Sequence, residues 1–197
     1  MAKLVLLAGK SGSGKSTAAG ILETEFGFTE FAFAHPLKEI ARIFGFNNVY
    51  GTQEEKLQIN ELWGISDREF LQKFGTEICK KELPKLFPTM ANVWSRLMEG
   101  TIKNNQDKRI VISDCRSPDD EIPMAKKYGG FIIKLIRPCV ENEEKKSKTS
   151  THETETSIDK IEADEVIYND GTIEELTVKL QNALEKFELL KSLTADA

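Results

Sequence analysis

The residues best suited to chemistry form a glycine-rich stretch, Gly9–Ser16, which directly follows the apolar run Leu4–Ala8. Its spacing, G-x-x-x-x-G-K-S, is that of a phosphate-binding loop, in which glycines let backbone N–H groups converge on phosphate oxygens. Lys15 would reach the β- and γ-phosphates, and the Ser16 hydroxyl would take a position on Mg²⁺. The alternative is a glycine-rich turn without a ligand, which the order of strand, loop and helix disfavours. The predicted nucleotide-binding residues are Gly12, Ser13, Gly14, Lys15, Ser16 and Thr17.

A second metal contact is expected from Asp114, because the apolar strand at 109–113 delivers this carboxylate to a strand end. A strand-terminal Asp often serves only as a helix cap or turn residue, but the phosphate loop favours a metal role here. Two positions later, the planar guanidinium of Arg116 suits bidentate recognition of phosphate. The alternative for Arg116 is an ion pair with Asp119 or Glu121.

Basic side chains in two polar segments could supply positive charge to a transferring phosphoryl group. Arg137 stands before residues 138–158, whose Lys/Glu-rich composition suits a mobile flap, although such charge runs are usually solvated loops. In the other segment, residues 36–105, we rank Arg68 highest, because polar and aromatic residues follow it up to a glycine break. Taken singly, most such charges are surface groups. The other basic candidates are Lys38, Arg42, Arg96, Lys145, Lys146 and Lys148.

The sheet that must position these residues is predicted from five short apolar runs, at 3–8, 30–34, 109–113, 131–136 and 165–168. Helical patterns separate the runs, so we predict an α/β fold, a three-layer αβα sandwich around a five-stranded parallel sheet. Ligands should bind at the carboxyl ends of the strands. A helix at 17–26 would add its partly positive N-terminus to the anion site.

Residues 36–105 are predicted to be a helical insertion, because this interval lacks a convincing strand. Its aromatic residues Trp63, Phe74 and Trp94 could form a wall for a base, although such residues are more often core. Prolines and glycines cut the interval into short helices. The helical patterns lie at 37–44, 54–62, 67–82 and 91–103.

The chain as a whole is predicted to be one domain, with a core of residues 1–35, 106–137 and 159–197, the insertion 36–105 and a lid at 138–158. An amphipathic helix at 172–193 would close the core. Thr172 and Glu175 have the spacing of its capping box.

The composition and net charge of the chain exclude some classes of function. The 197 residues carry a net charge of −5, which argues against a nucleic-acid polymer as ligand and leaves small nucleotides open. The N-terminus lacks a secretory pattern, and no apolar run approaches the ~18 residues of a membrane helix, so we expect a soluble, cytoplasmic protein without a membrane partner. Three scattered cysteines and two histidines support neither a disulfide framework nor a zinc site. These residues are Cys79, Cys115, Cys139, His35 and His152.

The combination of phosphate loop, helical insertion, acid-ended strand and flap resembles the nucleoside monophosphate kinases of the P-loop superfamily. More narrowly, the chain resembles the phage-type deoxynucleoside monophosphate kinases, through segments that span nearly its whole length. The pairing of Leu-Gln-x-x-Gly-Thr-Glu with His-x-Thr-Glu is much narrower than the phosphate loop alone. The matching segments are residues 34–38, 71–77, 114–116, 152–155 and 169–172.

This resemblance implies transfer of the γ-phosphoryl group of ATP to a deoxynucleoside monophosphate (dNMP), with Mg²⁺, giving the diphosphate and ADP. It implies ATP contacts from Arg137, Asn169 and Gly171 beside the phosphate loop, and metal contacts from Ser16 and Asp114. The implied catalytic residues are Lys15, Arg68, Asp114, Arg116 and Arg137. The implied acceptor-binding residues are Lys38, Arg68, Gly75, Thr76, Glu77, Trp94, Asp114, Arg116, His152 and Glu155.

The chain departs from the family pattern at two positions. His35 stands where an acid commonly precedes Pro-Leu-Lys, and Lys80 stands where an arginine often follows Gly-Thr-Glu. The second change replaces a bidentate fork with a point charge.

Two other functions compete with this interpretation. Dephospho-coenzyme A kinases share the loop and the insertion but have no ready counterpart of Leu-Gln-x-x-Gly-Thr-Glu. A nucleotide-dependent switch would not need the surplus of Arg and Lys in the two insertions. Base preference and oligomeric state stay open, a homodimer included, and the resemblance favours a phage or virus whose enzyme works in the host cytoplasm.

Overall fold

The computed structural model describes residues 3–138 and 157–190. It divides the chain into two compact units, one formed by Met1–Ala32 with Glu99–Ala197 and the other by Phe33–Met98. The first unit contains the sheet. Its strands are β1 (Lys3–Ala8), β2 (Phe28–Phe31), β3 (Arg109–Cys115), β4 (Phe131–Ile136) and β5 (Glu165–Tyr168).

All described strand pairings are parallel, in the order β2-β3-β1-β4-β5, which confirms the predicted five-stranded parallel sheet. The central strand β1 is fully buried from Leu4 to Ala8, as expected for a parallel strand covered on both faces. Because β1 lies between β3 and β4, the loops that follow these three strands emerge side by side at one edge of the sheet.

The other regular elements of the described chain are helices. The α-helices are α1 (Lys15–Phe26), α2 (His35–Ile43), α3 (Gln53–Leu57), α4 (Asp67–Gln72), α5 (Leu83–Leu86), α6 (Val93–Lys103), α7 (Glu121–Lys127) and α8 (Ile173–Lys186). A π-helix at Lys73–Glu82 continues α4, and a 3₁₀ turn covers Pro88–Met90.

The main core lies where α1 and α8 cover the sheet. Leu22 of α1 and Leu180 of α8 are fully buried in the same cluster as Val5 of β1. Burying a leucine or valine side chain contributes about 1.5–3 kcal/mol. The packing therefore anchors α1, whose first turn follows the phosphate loop, against the central strand.

The second unit has a small aromatic core. Phe46 stacks on Phe70 with ring centroids 4.3 Å apart, and Phe70 stacks on Phe74 at 5.1 Å. Ser66 caps α4, and the buried carboxylate of Asp67 accepts the backbone N–H of Asn48 at 2.7 Å.

Strand β2 differs from its prediction. We expected it at 30–34, but it occupies Phe28–Phe31 and pairs Phe28 with Arg109. Gly27 adopts the left-handed conformation, with φ 67°, and ends α1 at once, so the strand begins directly after it. Ala34 instead caps α2.

The predicted helix at 54–62 is wrong in its second half. The helix α3 covers only Gln53–Leu57, begun by a capping box between Thr52 and Glu55. Gln58 is extended, and Ile59 forms an isolated antiparallel bridge with Ser66. The bridge needs extended backbone, so the helical pattern of this segment is overridden by tertiary pairing.

The predicted helix at 67–82 is continuous but changes type at Lys73 from α to π. The terminal helix begins as predicted, with the Thr172–Glu175 capping box, but α8 ends at Lys186 rather than at 193. Helices at 15–26, 35–43 and 93–103 agree with their predictions within two residues.

Most of the predicted lid, residues 139–156, lies outside the described residues, together with Cys139, Lys145, Lys146, Lys148, His152 and Glu155. Those predictions remain predictions. Among the described residues, no helix combines the length and the apolar character needed to cross a membrane.

Candidate active site

The phosphate loop is shaped by close backbone approach. Gly9 has φ 148°, and a Cβ atom there would lie 2.5 Å from the carbonyl oxygen of Leu135 and 2.6 Å from Ser13 Oγ. Ser13 is buried, and its hydroxyl has no hydrogen-bond partner among the described residues. Only glycine fits at position 9, so the loop can turn tightly out of β1.

Helix α1 begins at Lys15, two residues before its predicted start at residue 17. The Nζ of Lys15 donates hydrogen bonds to the carbonyl oxygens of Gly9 at 2.6 Å and Lys10 at 2.7 Å. These bonds hold the ammonium over the loop. Ser16 and Thr17 fall in the first helical turn, where unpaired backbone N–H groups face an anion.

Asn169 ties the turn after β5 to the phosphate loop. Its side-chain amide donates to the carbonyl oxygen of Ser13 at 3.0 Å, and a side chain at Gly14 would overlap that amide. At Gly171 an added Cβ would overlap the Glu175 carboxylate of the capping box. The structure therefore brings Asn169 to the phosphate loop. It also explains the glycine at position 171, where a side chain would collide with the helix cap.

The end of β3 lies beside the start of the phosphate loop. Leu6 pairs with Ile112 and Ala8 with Cys115, so β3 advances three residues while β1 advances two. This extra residue makes a β-bulge next to Asp114, a feature that re-aims side chains at strand ends. Asp114 is partly buried, and Arg116 is exposed just beyond the strand.

A buried acid that sequence reasoning did not single out as a functional residue holds the chain after β3. Glu121, only 5% exposed, accepts the backbone N–H of Arg116 at 2.6 Å and that of Ser117 at 2.9 Å through one oxygen, Oε2. Within the described chain, no ion pair joins Arg116 to Asp119 or Glu121. In the sequence, the available signal for this contact was the position of Glu121, five residues after an arginine at a predicted strand end.

Burial perturbs two titrating groups here. It raises the pKa of Glu121 to about 7, the nearby charges of Asp120 and Asp114 add to the rise, and the N–H bonds of Arg116 and Ser117 oppose it. Burial and the adjacent Glu121 also raise the pKa of the Cys115 thiol well above its usual range. A raised pKa disfavours the thiolate, which is the reactive form of a cysteine.

Arg137 follows β4 on the phosphate-loop side. It lines a cavity of about 10 Å³, roughly the space of one water, together with Lys10 and Ser13. Lys10 also lies 3.8 Å from Asp159 in an ion pair. Arg137 is thus gathered with the loop, Asn169 and the end of β3 in one unit.

In the other unit, the predicted acceptor residue Lys38 lies on α2, with its Nζ 4.6 Å from the ring centre of Tyr50. The Tyr50 hydroxyl donates to Glu39 at 2.9 Å, and this bond is the main cause lowering the pKa of Glu39. Because a phenol has one proton, the 2.9 Å contact with His35 requires His35 Nδ1–H to donate to the tyrosine oxygen. Neither Tyr50 nor Glu39 was singled out from the sequence, although the i, i+4 spacing of His35 and Glu39 put both on one helix face.

The other acceptor candidates are divided between exposed and buried positions. Arg68 is exposed and donates to Gln53 Oε1 at 2.7 Å. Trp94 is only 7% exposed, and its indole N–H donates to the carbonyl of Gly75 at 3.2 Å. A Cβ at Gly75 would lie 2.7 Å from Leu37. Trp94 and Gly75 therefore shape the packing of this unit.

Two remaining candidates lie near them on the π-helix. Thr76 is partly buried, and Glu77 is exposed and pairs with Lys81 at 3.0 Å. Lys80, the departure noted above, is exposed on the next turn.

A metal site could take oxygen ligands from this constellation. No group of three or more His, Cys, Asp or Glu side chains in residues 3–138 and 157–190 could form a metal cage. Mg²⁺ does not require one, because it is usually held by one or two protein oxygens together with phosphate and water. The Ser16 hydroxyl and the Asp114 carboxylate are donors of that kind.

Comparison with known proteins finds one matching family model and two similar sequences. The family model described as "Deoxynucleotide monophosphate kinase" matches residues 39–180. A protein of Acanthamoeba polyphaga mimivirus, whose name assigns it provisionally to the deoxynucleotide monophosphate kinases, is 33% identical over 185 residues, covering 87% of this chain and 91% of that protein. The deoxynucleotide monophosphate kinase of Enterobacteria phage T4 is 25% identical over 175 residues, covering 88% of this chain and 62% of that protein.

Solved structures share the fold. Shikimate kinase from Aquifex aeolicus superposes with a TM-score of 0.50 at 16% identity, covering 94% of this chain and 98% of that one. Thymidylate kinase from Candida albicans gives a TM-score of 0.50 at 13% identity, covering 96% of this chain and 94% of that one. At these identities the likeness establishes the P-loop kinase fold predicted from the sequence.

Proposed function

The chain belongs to the deoxynucleotide monophosphate kinase family, and from that premise we propose that it transfers the γ-phosphoryl group of ATP to a dNMP, giving a dNDP and ADP. Membership makes the protein a nucleotide phosphotransferase. The observation that carries the proposal is the family match over residues 39–180, which takes in the helical unit from residue 39 onward, the end of β3 and Asn169. The phosphate loop precedes this range and supplies the donor site.

We assign the donor nucleotide to the loop and the α1 N-terminus. Backbone N–H groups from Gly12 to Thr17 would bind the phosphates, and Lys15 would neutralise the β- and γ-oxygens. Its present hydrogen bonds to the Gly9 and Lys10 carbonyls support this, because they place the ammonium at the mouth of the loop. Asn169 would keep the loop in shape through Ser13.

Mg²⁺ fits the oxygen donors at this edge of the sheet. Ser16 would bind it directly and Asp114 through water, and the bulge beside Asp114 supports that assignment by turning β3 at the loop. When bound, the metal neutralises charge on the β- and γ-phosphate oxygens.

The chemical step requires an acceptor phosphate oxygen to form a bond to Pγ while the bond from Pγ to the β,γ-bridging oxygen breaks, leaving ADP. Negative charge spreads over the γ-oxygens in this transition state, so positive charge there lowers the barrier. We assign that charge to Lys15, Arg116 and Arg137, which all belong to the sheet-containing unit. Closure of residues 138–158 would exclude water.

The acceptor is proposed to bind the helical unit. Lys38 and Arg68 are its cationic candidates, and both are on the surfaces of short helices, α2 and α4. Thr76 and Glu77, with His152 and Glu155 outside the described residues, complete the proposed contacts. Gly75 and Trp94 would act by shaping the surface, since they pack on each other. The source of the relatives, a giant virus and a phage, supports action in a host cytoplasm.

An activity panel tests the proposal. Purified protein is incubated with ATP and Mg²⁺ in the presence of each dNMP, each NMP, dephospho-coenzyme A, or no acceptor, and ADP and the phosphorylated product are quantified by chromatography. The expected result is one dNDP formed per ADP with at least one dNMP. Acceptor-independent ADP release would favour the switch, and a phosphorylated coenzyme A product would favour the rival kinase. A Lys15→Met variant controls for contaminating kinases.

A further inference from the structure

Glu121 is buried without a cation beside it. Its carboxylate is 5% exposed at the start of α7, and no Lys or Arg of the described residues forms an ion pair with it. A buried carboxylate without such a partner is costly unless hydrogen bonds compensate. Here the compensation comes from the backbone N–H groups of Arg116 and Ser117.

The surroundings of Glu121 are otherwise unfavourable to negative charge. The Cys115 thiol lies against the carboxylate, and Asp120 and Asp114 add negative charge nearby. Asp120 Oδ1 is itself buried without a hydrogen-bond partner among the described residues. A neutral side chain would cost less to bury at this position. We therefore look for the function of this acid in the two N–H groups that it binds.

Those two N–H groups belong to the turn that leaves β3 beside the phosphate loop. Cys115, the last residue of β3, pairs with Ala8, the residue before Gly9, and Arg116 is the first residue after the strand. The direction in which the Arg116 guanidinium leaves the backbone is set by the backbone of residues 115–117. Glu121 fixes that backbone from the buried side, while the Arg116 side chain is exposed on the other.

We propose that Glu121 is a positioning residue of the phosphoryl-transfer site, whose carboxylate clamps the N–H groups of Arg116 and Ser117 and thereby aims the Arg116 guanidinium at the transferring phosphate. This inference rests on the proposed role of Arg116. It adds a residue that never touches a nucleotide: Glu121 acts only through the turn. A misplacement of about 1 Å at a charge-stabilising group can cost on the order of a hundredfold in rate.

The substitutions follow from the geometry. Both N–H groups bond to the same oxygen, Oε2, which the amide of Glu121→Gln can still offer, whereas Glu121→Ala removes the acceptor. Asp119→Ala removes a carboxylate from the same turn and is the matched control. Folding of each variant is checked by circular dichroism and a cooperative melting curve. If Glu121→Ala does not fold at the assay temperature, Glu121→Asp, which shortens the reach by one methylene, replaces it.

The readout is a double-mutant cycle on kcat and KM for both nucleotides, with Arg116→Ala as the second substitution. We expect folded Glu121→Ala to lose about tenfold or more in kcat with little change in KM for ATP. Glu121→Gln should stay within about threefold of the parent. The double variant should be no worse than Arg116→Ala alone, because the clamp acts only through that arginine.

Three outcomes overturn the inference. Full kcat in folded Glu121→Ala would mean that the turn needs no clamp, and losses that multiply in the double variant would mean that Glu121 acts through another group. A neutral Arg116→Ala would remove the proposed role of Arg116 and the clamp with it. The proposed function fails separately, if the parent protein forms no dNDP in the acceptor panel.

Discussion

The side-chain amide of Asn169 donates a hydrogen bond to the carbonyl oxygen of Ser13 at 3.0 Å, across 156 positions of sequence. The bond joins the turn after β5 to the phosphate loop. It gives the carbonyl oxygen of Ser13 a hydrogen-bond donor. The loop is thus supported by the turn after β5 as well as by its own glycines.

Asn169→Ala should therefore weaken ATP binding. Loss of one neutral hydrogen bond costs about 1 kcal/mol, so KM for ATP should rise about fivefold while KM for the dNMP stays constant. Asp170→Ala, which removes an exposed neighbour paired with Lys179, is the control. An unchanged KM for ATP in Asn169→Ala would mean that this hydrogen bond does not contribute to ATP binding.

Lys15→Met should abolish turnover without unfolding the protein. The ammonium meets two loop carbonyls, and its loss removes charge stabilisation at the γ-phosphate, worth about 10³-fold or more in kcat. Formation of dNDP is compared with that of Lys127→Met, which removes a surface ion pair with Glu99. Near-parental dNMP-dependent ADP formation by Lys15→Met would contradict the donor-site assignment.

Asp114→Asn should change the metal requirement more than ATP affinity, because the loop and Lys15 still hold the phosphates. Titration with Mg²⁺ should show a higher half-saturating concentration and a lower kcat, whereas nucleotide binding measured without metal should match the parent. A parental magnesium curve would reduce Asp114 to a residue of the β-bulge.

Arg68→Ala should raise KM for the dNMP several-fold and leave KM for ATP nearly constant. Among the described residues, the guanidinium hydrogen-bonds to Gln53 on the exposed surface, so its removal should not disturb the fold. Arg68→Lys should rescue only in part, since an ammonium lacks the bidentate fork. Lys73→Ala, on the same exposed helical stretch, is the control, and an effect confined to ATP would reverse the assignment.

The stability of the protein should fall as pH rises through neutrality, because of Glu121. Its pKa is raised from 4.5 to about 7 in the folded state, so the folded form holds the proton more tightly than the unfolded chain. The resulting stabilisation is complete below about pH 4.5 and is lost as pH rises through about 7, to a total of about 3 kcal/mol. Denaturant unfolding of parent and Glu121→Gln at pH 5 and pH 8 measures this. The free energy of unfolding of Glu121→Gln should fall less between pH 5 and pH 8 than that of the parent. Equal falls in both proteins would contradict the raised pKa of Glu121.

Much of the fold could be predicted because its signals are local. The five apolar runs and the phosphate loop each depend on a few consecutive residues, whose periodicity and glycines specify a strand, a turn and a helix start. The Thr172–Glu175 cap is local too, and it was found in place. Family resemblance then extended the interpretation to nearly the whole chain.

The predicted boundaries were wrong at α3 and at β2. Helix α3 stops at Leu57 because Ile59 bridges to Ser66, and β2 begins early because Gly27 takes a positive φ. From the sequence, Trp94 was a candidate for a substrate wall, although such residues are more often core, and its burial and its bond to Gly75 show that it packs within the helical unit.

The sequence by itself determined the kind of chemistry, since a phosphate-binding loop is encoded in eight consecutive residues and needs only its own backbone and one lysine to be recognised. Tertiary structure decided which contacts support the candidate residues of each unit. In the sheet-containing unit, Asn169 donates to Ser13 and Glu121 accepts from Arg116. In the helical unit, Tyr50 contacts His35 and Glu39. Each of these contacts depends on burial or on the meeting of separate segments, and the free energy of a buried charge or hydrogen bond is set by what the completed fold places around it.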